Sequence, residues 1–301
     1  MKLINLLIGL VMSASAFSQT IYFNDIQSQD WNTTLVTNVE VYEEHYYIYG
    51  AFSNEDTFQG TFIQKLDLSG AFVANIFVVD SILVPNYAES INVSDNQIII
   101  GGGRSALNLS SDNGVNWNYY KFFEDLYMND IFMSSFLSDS SCLFIGSKIY
   151  DIDQDPSPEY SDVYLLKTSS EGEELWENEF NILPDKFIRI SVIHELENGE
   201  LVLVGSTYSP WNPVIIRVDS LGNLISYEQF GQEEENNWLP WSVLEEDGDV
   251  LTLASLTVEG VDEDFGDLSA LQVMQYDLNT DSFIYESDFD DAYIFNHVQD
   301  F

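Results

Sequence analysis

The stretch Ile215-Ile216-Arg217-Val218-Asp219-Ser220-Leu221-Gly222 decides how this chain is read, because it recurs. It is a β-branched run that stops in a polar turn with glycine in the last place. Related stretches are Ile63-Gln64-Lys65-Leu66-Asp67-Leu68-Ser69-Gly70, Leu165-Leu166-Lys167-Thr168-Ser169-Ser170-Glu171-Gly172, Leu107–Gly114 and Val273–Thr280. With Lys65, Asn108, Lys167, Arg217 and Gln275 taken as equivalent, the copies stand 43, 59, 50 and 58 residues apart. A period of about 50 residues is that of repeat architectures with one supersecondary unit per repeat.

A second element precedes each copy: an apolar run that stops at a small residue. The five are Tyr46–Gly50, Ile98–Gly101, Leu143–Gly146, Leu201–Gly205 and Val250–Ala254. Turns such as Glu197-Asn198-Gly199-Glu200 and Glu246-Asp247-Gly248-Asp249 introduce them, and Asn-Gly and Asp-Gly supply the positive φ that tight hairpins need. One more β-run comes before each turn, as in Phe187–Leu196 and Trp241–Leu244. Each unit therefore reads strand A, hairpin, strand B, loop, strand C, tight turn, strand D, with no sustained helical periodicity. Four antiparallel strands at this period describe the blades of an all-β propeller: a lone blade leaves two apolar faces bare, and radial stacking buries both. Another all-β repeat, or two stacked sandwiches, is the competing arrangement.

Five complete units lie between two terminal fragments. Ile21-Tyr22-Phe23-Asn24-Asp25 resembles a strand D with no A–C before it, and Tyr293–Val298 reads as a strand A after which the sequence stops. A sixth blade shared by both ends would lack strands B and C. The expectation is a propeller domain over residues 19–301 that is incomplete at its C-terminus.

The first residues read as an address. Met1-Lys2 is followed by the apolar run Leu3–Met12, too short to span a bilayer, and then by Ser13, Ala14, Ser15 and Ala16. This is the pattern of a secretory signal peptide over residues 1–18, cleaved after Ala16 or after Ser18. With no cysteine following, a lipoprotein anchor is not expected. The predicted location is secreted or at the cell surface, with no membrane insertion.

Composition narrows the function classes. The chain has 51 acidic and 9 basic residues, a formal charge of −42, and 45% apolar residues. The apolar content separates it from disordered acidic chains. The charge argues against nucleic acid and anionic lipid surfaces as partners, since both are held by Lys and Arg. A single cysteine, Cys142, excludes a disulfide framework and a cysteine-based zinc site. It sits in an apolar run and reads as a buried thiol.

The run Ser110-Ser111-Asp112-Asn113-Gly114-Val115-Asn116-Trp117 matches the Asp-box pattern S-x-D-x-G-x-x-W, with Ser110, Asp112, Gly114 and Trp117 as its fixed positions. It resembles the boxes of sialidase-like and several unrelated propellers, which lie at the turn between strands C and D. In such a turn the Asp side chain accepts backbone N–H groups, Gly takes positive φ, and Trp packs beside it. The looser copies Asp67–Gly70 and Asp219–Gly222 look like the repeats of secreted bacterial propellers of the Bacteroidetes type, and Phe17-Ser18-Gln19 looks similar to their signal-peptide junctions. That resemblance implies a bacterial, extracellular protein and export by type IX secretion, although the C-terminal sorting domain common in that group is missing from this sequence.

The residues bear on several chemistries. Sialidase-like catalysis needs three arginines around a carboxylate. The chain has Arg104, Arg189 and Arg217, and Arg217 shares its repeat position with Lys65 and Lys167, which gives it a structural role. A two-carboxylate glycosidase needs only two acids at the right separation, and 51 acids make sequence uninformative on that point. Asp151, Asp153, Asp155 and Glu159 have the alternating spacing of oxygen ligands for calcium, but Pro156 stands where an EF-hand has glycine. A second acidic group is Glu259, Asp262, Glu263, Asp264 and Asp267. Either group is a calcium site or a solvated acidic loop. His45, His194 and His297 are dispersed over three units and read as strand or turn residues rather than zinc ligands.

Binding is the remaining class. In a propeller the B–C and D–A loops share one face. The expected B–C loops are Ser53–Gly60, Tyr150–Ser161, Tyr208–Pro213 and Thr257–Ser269, and the D–A loops include Asp80–Tyr87 and Phe230–Trp238. They bring Tyr87, Tyr208, Trp211 and Trp238 together with many carboxylates, a combination that suits sugar stacking or a cationic protein partner; the alternative is that these rings pack between blades. The leading expectation is a secreted, non-catalytic recognition module for a carbohydrate or protein ligand. A carbohydrate-active hydrolase is the other.

Overall fold

A computed structural model describes residues 33–54, 57–78, 88–94, 97–102, 105–110, 117–122, 129–149, 161–183, 186–207, 212–229, 239–247, 250–262 and 266–295. Among these residues there is no helix. Twenty strands form five four-stranded antiparallel sheets, each paired in chain order. The first holds β1 (Thr33–Tyr42), β2 (His45–Asn54), β3 (Thr57–Asp67) and β4 (Phe72–Val78). The second holds β5 (Ala88–Val93), β6 (Gln97–Gly102), β7 (Ser105–Ser110) and β8 (Trp117–Phe122). The third holds β9 (Asn129–Phe136), β10 (Cys142–Ile149), β11 (Ser161–Thr168) and β12 (Glu174–Phe180). The fourth holds β13 (Ile188–Glu195), β14 (Leu201–Thr207), β15 (Pro213–Val218) and β16 (Leu224–Gln229), and the fifth holds β17 (Leu239–Asp247), β18 (Val250–Asp262), β19 (Gly266–Asp277) and β20 (Ser282–Phe295).

The first strands of successive sheets touch: β1 lies against β5, β5 against β9, β9 against β13 and β13 against β17. The sheets thus share an inner edge, as the blades of a β-propeller do. Burial is greatest in the middle strands of a sheet and falls toward its edges: the inner strand β13 is only partly buried. Every residue of β14 is buried, whereas β12 and β16 are mostly exposed.

Period-2 patterning gives each second and third strand two apolar faces. Leu143 and Ile145 of β10 join Val163 and Leu165 in a core shared with Leu201, Leu203, Val214 and Ile216 of the next sheet. Their neighbours Cys142 and Phe144 point the other way, with Tyr164 and Leu166, onto Ile99 and Ala106 of the preceding sheet. Tyr47, Tyr49 and Ile63 meet Ile98, Ile100, Leu107 and Leu109 between the first two sheets. Val202, Val204 and Ile215 meet Leu251, Leu253 and Tyr276 between the last two. Each full burial of a Val, Leu or Ile side chain contributes about 1.5–3 kcal/mol. Inter-sheet stacking therefore stabilises the fold far more than any single surface contact does.

The sequence readings of strand ends need three corrections. Ser53, Asn54 and 57–60 belong to β2 and β3, so the expected loop Ser53–Gly60 is mostly paired strand. Of the expected loop Thr257–Ser269, residues 257–262 and 266–269 likewise belong to β18 and β19, with Val261 opposite Asp267 and Asp262 opposite Gly266. Polar composition suggested loops, but the ladder satisfies these backbones. Tyr293–Phe295 do not begin a new sheet: they continue β20, with Phe295 opposite Leu268 and Ile294 opposite Ser269. Ile21–Asp25 and residues 296–301 lie outside the described residues.

Each first strand carries a β-bulge. Thr37, Glu89, Phe132, Ser191 and Trp241 are the extra residues at a common level opposite β2, β6, β10, β14 and β18, and β17 has a second extra residue, Leu244. The bulges at the common level fall at the small residues Gly50, Gly101, Gly146, Gly205 and Ala254. This accounts for the small residue that ends each apolar run: two residues of one strand crowd a single place on its partner.

Candidate functional site

The two ends of the sheets differ in kind. At one end lie the A–B and C–D turns, which are tight and chemically uniform. Asp67 Oδ1 accepts the backbone N–H groups of Ser69 and Ala71, each at 2.9 Å. Asp219 Oδ1 does the same for Leu221 and Asn223, at 2.9 and 2.8 Å. Ser169 Oγ replaces the carboxylate for Glu171 and Glu173, and Asp277 accepts from Asn279 and Thr280. Gly70, Gly172 and Gly222 take φ of 83°, 86° and 81°. The side-chain-to-backbone bonds expected of this turn chemistry are present at Asp67 and Asp219. They hold both carboxyls below the ordinary range, with the side-chain partners Ser69 and Asn223 contributing most.

The stretch that matches the Asp-box pattern includes the β7–β8 connection. Ser110 ends β7 and Trp117 begins β8, while Asp112 and Gly114 lie outside the described residues.

Several basic side chains are tied to partners in their own sheet or in the next. Arg217 on β15 donates to Glu200 at 2.7 Å, to Asp281 at 2.7 Å and to the Leu278 carbonyl at 2.5 Å; the last two lie in the fifth sheet's C–D turn. Burial disfavours its charge, but Asp281 and Glu200 outweigh burial and raise its pKa. Lys167 on β11 meets Asp139 at 2.9 Å in the A–B turn of its own sheet. Burial opposes ionisation of Asp139, yet Ser141 and Lys167 pull its carboxyl down to about 2. Lys121 on β8 bridges to Glu177 and Glu174 of β12. Glu195 of β13 accepts from the backbone and hydroxyl of Ser138 in the third sheet. Lys65 stands 5.0 Å from the centre of the Tyr47 ring.

The shared repeat position of Lys65, Lys167 and Arg217 is therefore structural. In the second sheet Asn108 holds that position, buried, and donates to Cys142 Sγ across the interface at 3.3 Å. Burial pushes the Cys142 thiol up to about 11, as expected of an inert thiol. Arg217 is committed to Glu200 and Asp281, so it is not available to an arginine triad. Arg189 lies on β13 and Arg104 lies outside the described residues.

The opposite end carries the B–C and D–A connections, and these are unequal. The longest are 79–87, 150–160 and 230–238. Tyr87, Trp238 and the set Asp151, Asp153, Asp155 and Glu159 belong to them; Tyr208 and Trp211 belong to the β14–β15 connection. All eight lie outside the described residues. Of the second acidic group, Glu259 and Asp262 sit on β18 and Asp267 on β19, while Glu263 and Asp264 lie outside the described residues. Among the described residues no three His, Cys, Asp or Glu side chains gather as a metal site.

The A-strand bulges, which sequence reasoning missed, lie toward this same end. Polar groups stitch the inner strands beside them. Ser90 of β5 and Ser134 of β9 share a 2.9 Å hydroxyl–hydroxyl bond, and Asn92 donates to the Ser134 carbonyl at 2.6 Å.

No family model matches the sequence, and no curated relative matches it. Among solved structures, a DUF4221 family member from Bacteroides vulgatus is similar over 86% of this chain and 86% of its own, at 10% identity and a TM-score of 0.40. An α-L-arabinofuranosidase from Clostridium thermocellum is similar over 87% of this chain and 95% of its own, at 10% identity and a TM-score of 0.41. An endo-arabinase from Bacteroides thetaiotaomicron is similar over 90% and 97%, at 12% identity and a TM-score of 0.40. Likeness of this degree says nothing of activity, substrate or site.

Proposed function

We propose that this chain is an exported recognition module that binds its ligand at the end bearing the B–C and D–A connections and does not turn it over. The observation that supports this reading is the division of labour between the two ends. The turn end is built of uniform hairpins, and its described cations are committed to latches. The other end joins the same strands by long, unequal connections, which is where a rigid β scaffold carries its variable function. The leader over residues 1–18 supports export, and no helix among the described residues is long and apolar enough to cross a membrane. A glycan array and a panel of surface proteins, run beside a sugar-release assay, test the reading. Retention without released sugar is the expected result; turnover of any retained glycan would replace this reading with the hydrolase.

A second reading concerns calcium. The spacing of Asp151, Asp153, Asp155 and Glu159 in the 150–160 connection favours it. A site occupied at 100 times its Kd would add about 2.7 kcal/mol of stability. Melting in EDTA and then in millimolar calcium tests it: an upward shift that Asp153→Asn abolishes is expected, and identical curves would remove calcium from the account.

A further inference from the structure

Two A–B turns are built alike and differ at one side chain. In the third sheet the Leu137 N–H donates to the Ser141 carbonyl and the Ser140 N–H to the Leu137 carbonyl, each at 2.9 Å. In the fourth sheet Leu196 donates to Glu200 at 2.8 Å and Gly199 to Leu196 at 2.9 Å. Ser140 and Gly199 hold the same positive-φ place, at 66° and 80°. Asp139 Oδ1 accepts the Ser141 N–H at 2.9 Å, and Asn198 Oδ1 accepts the Glu200 N–H at 2.9 Å. Asp139 and Asn198 are therefore equivalent. The cations beside them are equivalent too: Lys167 stands opposite Leu143, and Arg217 opposite Val202.

The difference is the second polar atom. Asp139 Oδ2 accepts from Lys167 Nζ at 2.9 Å. Asn198 presents an amide NH₂ instead, which donates and cannot accept. Arg217 reaches Glu200 and Asp281, each at 2.7 Å, and the Leu278 carbonyl. Its Nε–H is buried and has no acceptor among the described residues. A carboxylate at position 198 would offer one, in the place that Asp139 Oδ2 holds in the third sheet.

The chain carries the chemistry that makes this carboxylate. Asn198 is exposed and is followed by Gly199, whose nitrogen no Cβ shields. After hydroxide removes its proton, the Gly199 backbone nitrogen attacks Asn198 Cγ. The Cγ–Nδ2 bond breaks, ammonia leaves, and a succinimide ring closes. Water then opens the ring at one carbonyl or the other, giving aspartate or isoaspartate. No enzyme, oxidant or reductant takes part. In the folded turn the Leu196 carbonyl holds the Gly199 N–H, so reaction waits on local opening, which a turn reaches without global unfolding.

We propose that Asn198 is a deamidation site, and that its aspartyl product joins the Arg217 clamp as Asp139 joins Lys167. Glu200 and Asp281 already face Arg217, and the Tyr276 hydroxyl donates to Asp281, so the new charge meets carboxylates as well as a cation. The buried Nε–H and the example of Asp139 decide the sign in favour of attraction. The isoaspartyl product lengthens the turn backbone by a methylene and cannot keep the bond between Leu196 and Glu200.

The test ages the whole chain at pH 8 and maps its peptides after reaction in heavy-oxygen water. Asn198 should convert at least fivefold faster than any asparagine that lacks a following glycine; Asn113 is the other asparagine that has one. Separated by anion exchange, the aspartyl form should unfold at higher urea than the unreacted chain, and the isoaspartyl form at lower. Asn198→Asp should reproduce the upward shift of the midpoint, and Arg217→Met should abolish it. If Arg217→Met does not fold, Asn198→Asp against wild type still decides. An Asn198 that converts no faster than the other asparagines would overturn the site. A midpoint in folded Asn198→Asp at or below that of wild type, or an upward shift kept in Arg217→Met, would overturn the role of its product.

Discussion

The carbonyl of Arg189 occupies the space that a side chain at Gly205 would need. A Cβ built on Gly205 falls well inside van der Waals contact distance of the Arg189 carbonyl oxygen and stands 2.9 Å from Ile190 Cα. Gly205 does not have a positive φ, so glycine is required there by crowding rather than by backbone conformation. The crowding comes from the bulge at Ser191, which presses β13 onto β14.

Gly205→Ala should therefore cost about 2 kcal/mol or more, because the clash is with backbone and no side chain can swing away. The loss should appear as a lower urea midpoint with an unchanged slope. A variant as stable as wild type would mean that β13 and β14 pair without the bulge.

The turn glycines should rank by their surroundings, since their φ values are alike. A Cβ on Gly70 meets nothing within 4 Å. One on Gly222 stands 2.8 Å from the Trp176 ring and 2.5 Å from Asn178 Nδ2, side chains that can yield. One on Gly172 strikes the Asn118 carbonyl and stands 2.7 Å from Tyr119 Cβ. Gly70→Ala should cost only the left-handed strain of about 1–2 kcal/mol, Gly222→Ala somewhat more and Gly172→Ala the most. Equal losses in denaturant melts would show that the C–D turns do not pack on the preceding sheet.

Much of this architecture was legible in the sequence, and the reason is physical. Runs such as Leu201–Val204 are apolar at every position because both faces are covered. Asp219 and Gly222 announce their turn because a side-chain acceptor and a positive φ are local requirements. The bulges were not legible. Ser191 and Gly205 are distant in sequence, and only strand register shows that one displaces the other. The small residue was visible, but its cause was not. Loop ends failed similarly, because 257–262 and 266–269 are largely polar and yet lie on the paired strands β18 and β19. Arg217 was read as structural from its repeat position alone, and the clamp on Glu200 and Asp281 supplies the mechanism. The candidate ligand and calcium residues lie outside the described residues.

The Arg217 clamp should couple the fourth and fifth sheets. Its side chain is 13% exposed, and removing it strands two partly buried carboxylates. Complete burial would put the cost of breaking such a pair at about 3–5 kcal/mol, and the exposure of Asp281 and Glu200 brings Arg217→Ala to about 2. Arg217→Lys should recover only part, since a lysine cannot span Glu200, Asp281 and the Leu278 carbonyl at once. A double-mutant cycle with Asp281→Asn should give a coupling of about 1 kcal/mol. Additive losses would mean that the two residues stabilise separately.

Acid should release the Asp139–Lys167 contact within a defined window. The Asp139 carboxyl is held at about 2 in the fold, against about 3.9 in an unfolded chain. Its contribution is complete above the unfolded value and is lost as pH falls from about 4 through 2. Asp67, Asp219 and Asp281 shift in the same direction. Falling pH also relieves repulsion among 51 acidic residues, so the wild-type curve alone mixes two effects. The difference between wild type and Lys167→Met isolates the pair: it should be constant near neutral pH and shrink through that window. A difference independent of pH would mean that Lys167 acts through packing alone.

Cys142 should be silent toward thiol reagents in the folded chain. Its sulfur is buried between the second and third sheets, among Ile99, Ala106, Phe144, Tyr164 and Leu166, and accepts from Asn108. Burial lifts its pKa to about 11, so little thiolate exists at pH 8 even before access is considered, and the thiolate is the reacting form. Ellman's reagent at pH 8 should therefore find no thiol in native protein and one per chain in denaturant. The native rate, followed as denaturant rises below the midpoint, reports how readily these two sheets part. Exposure requires Cys142 to leave contacts made by both, so the rate should follow global unfolding. Rapid reaction without denaturant would show that the second and third sheets separate on their own, and the stacked core would then be two cooperative units rather than one.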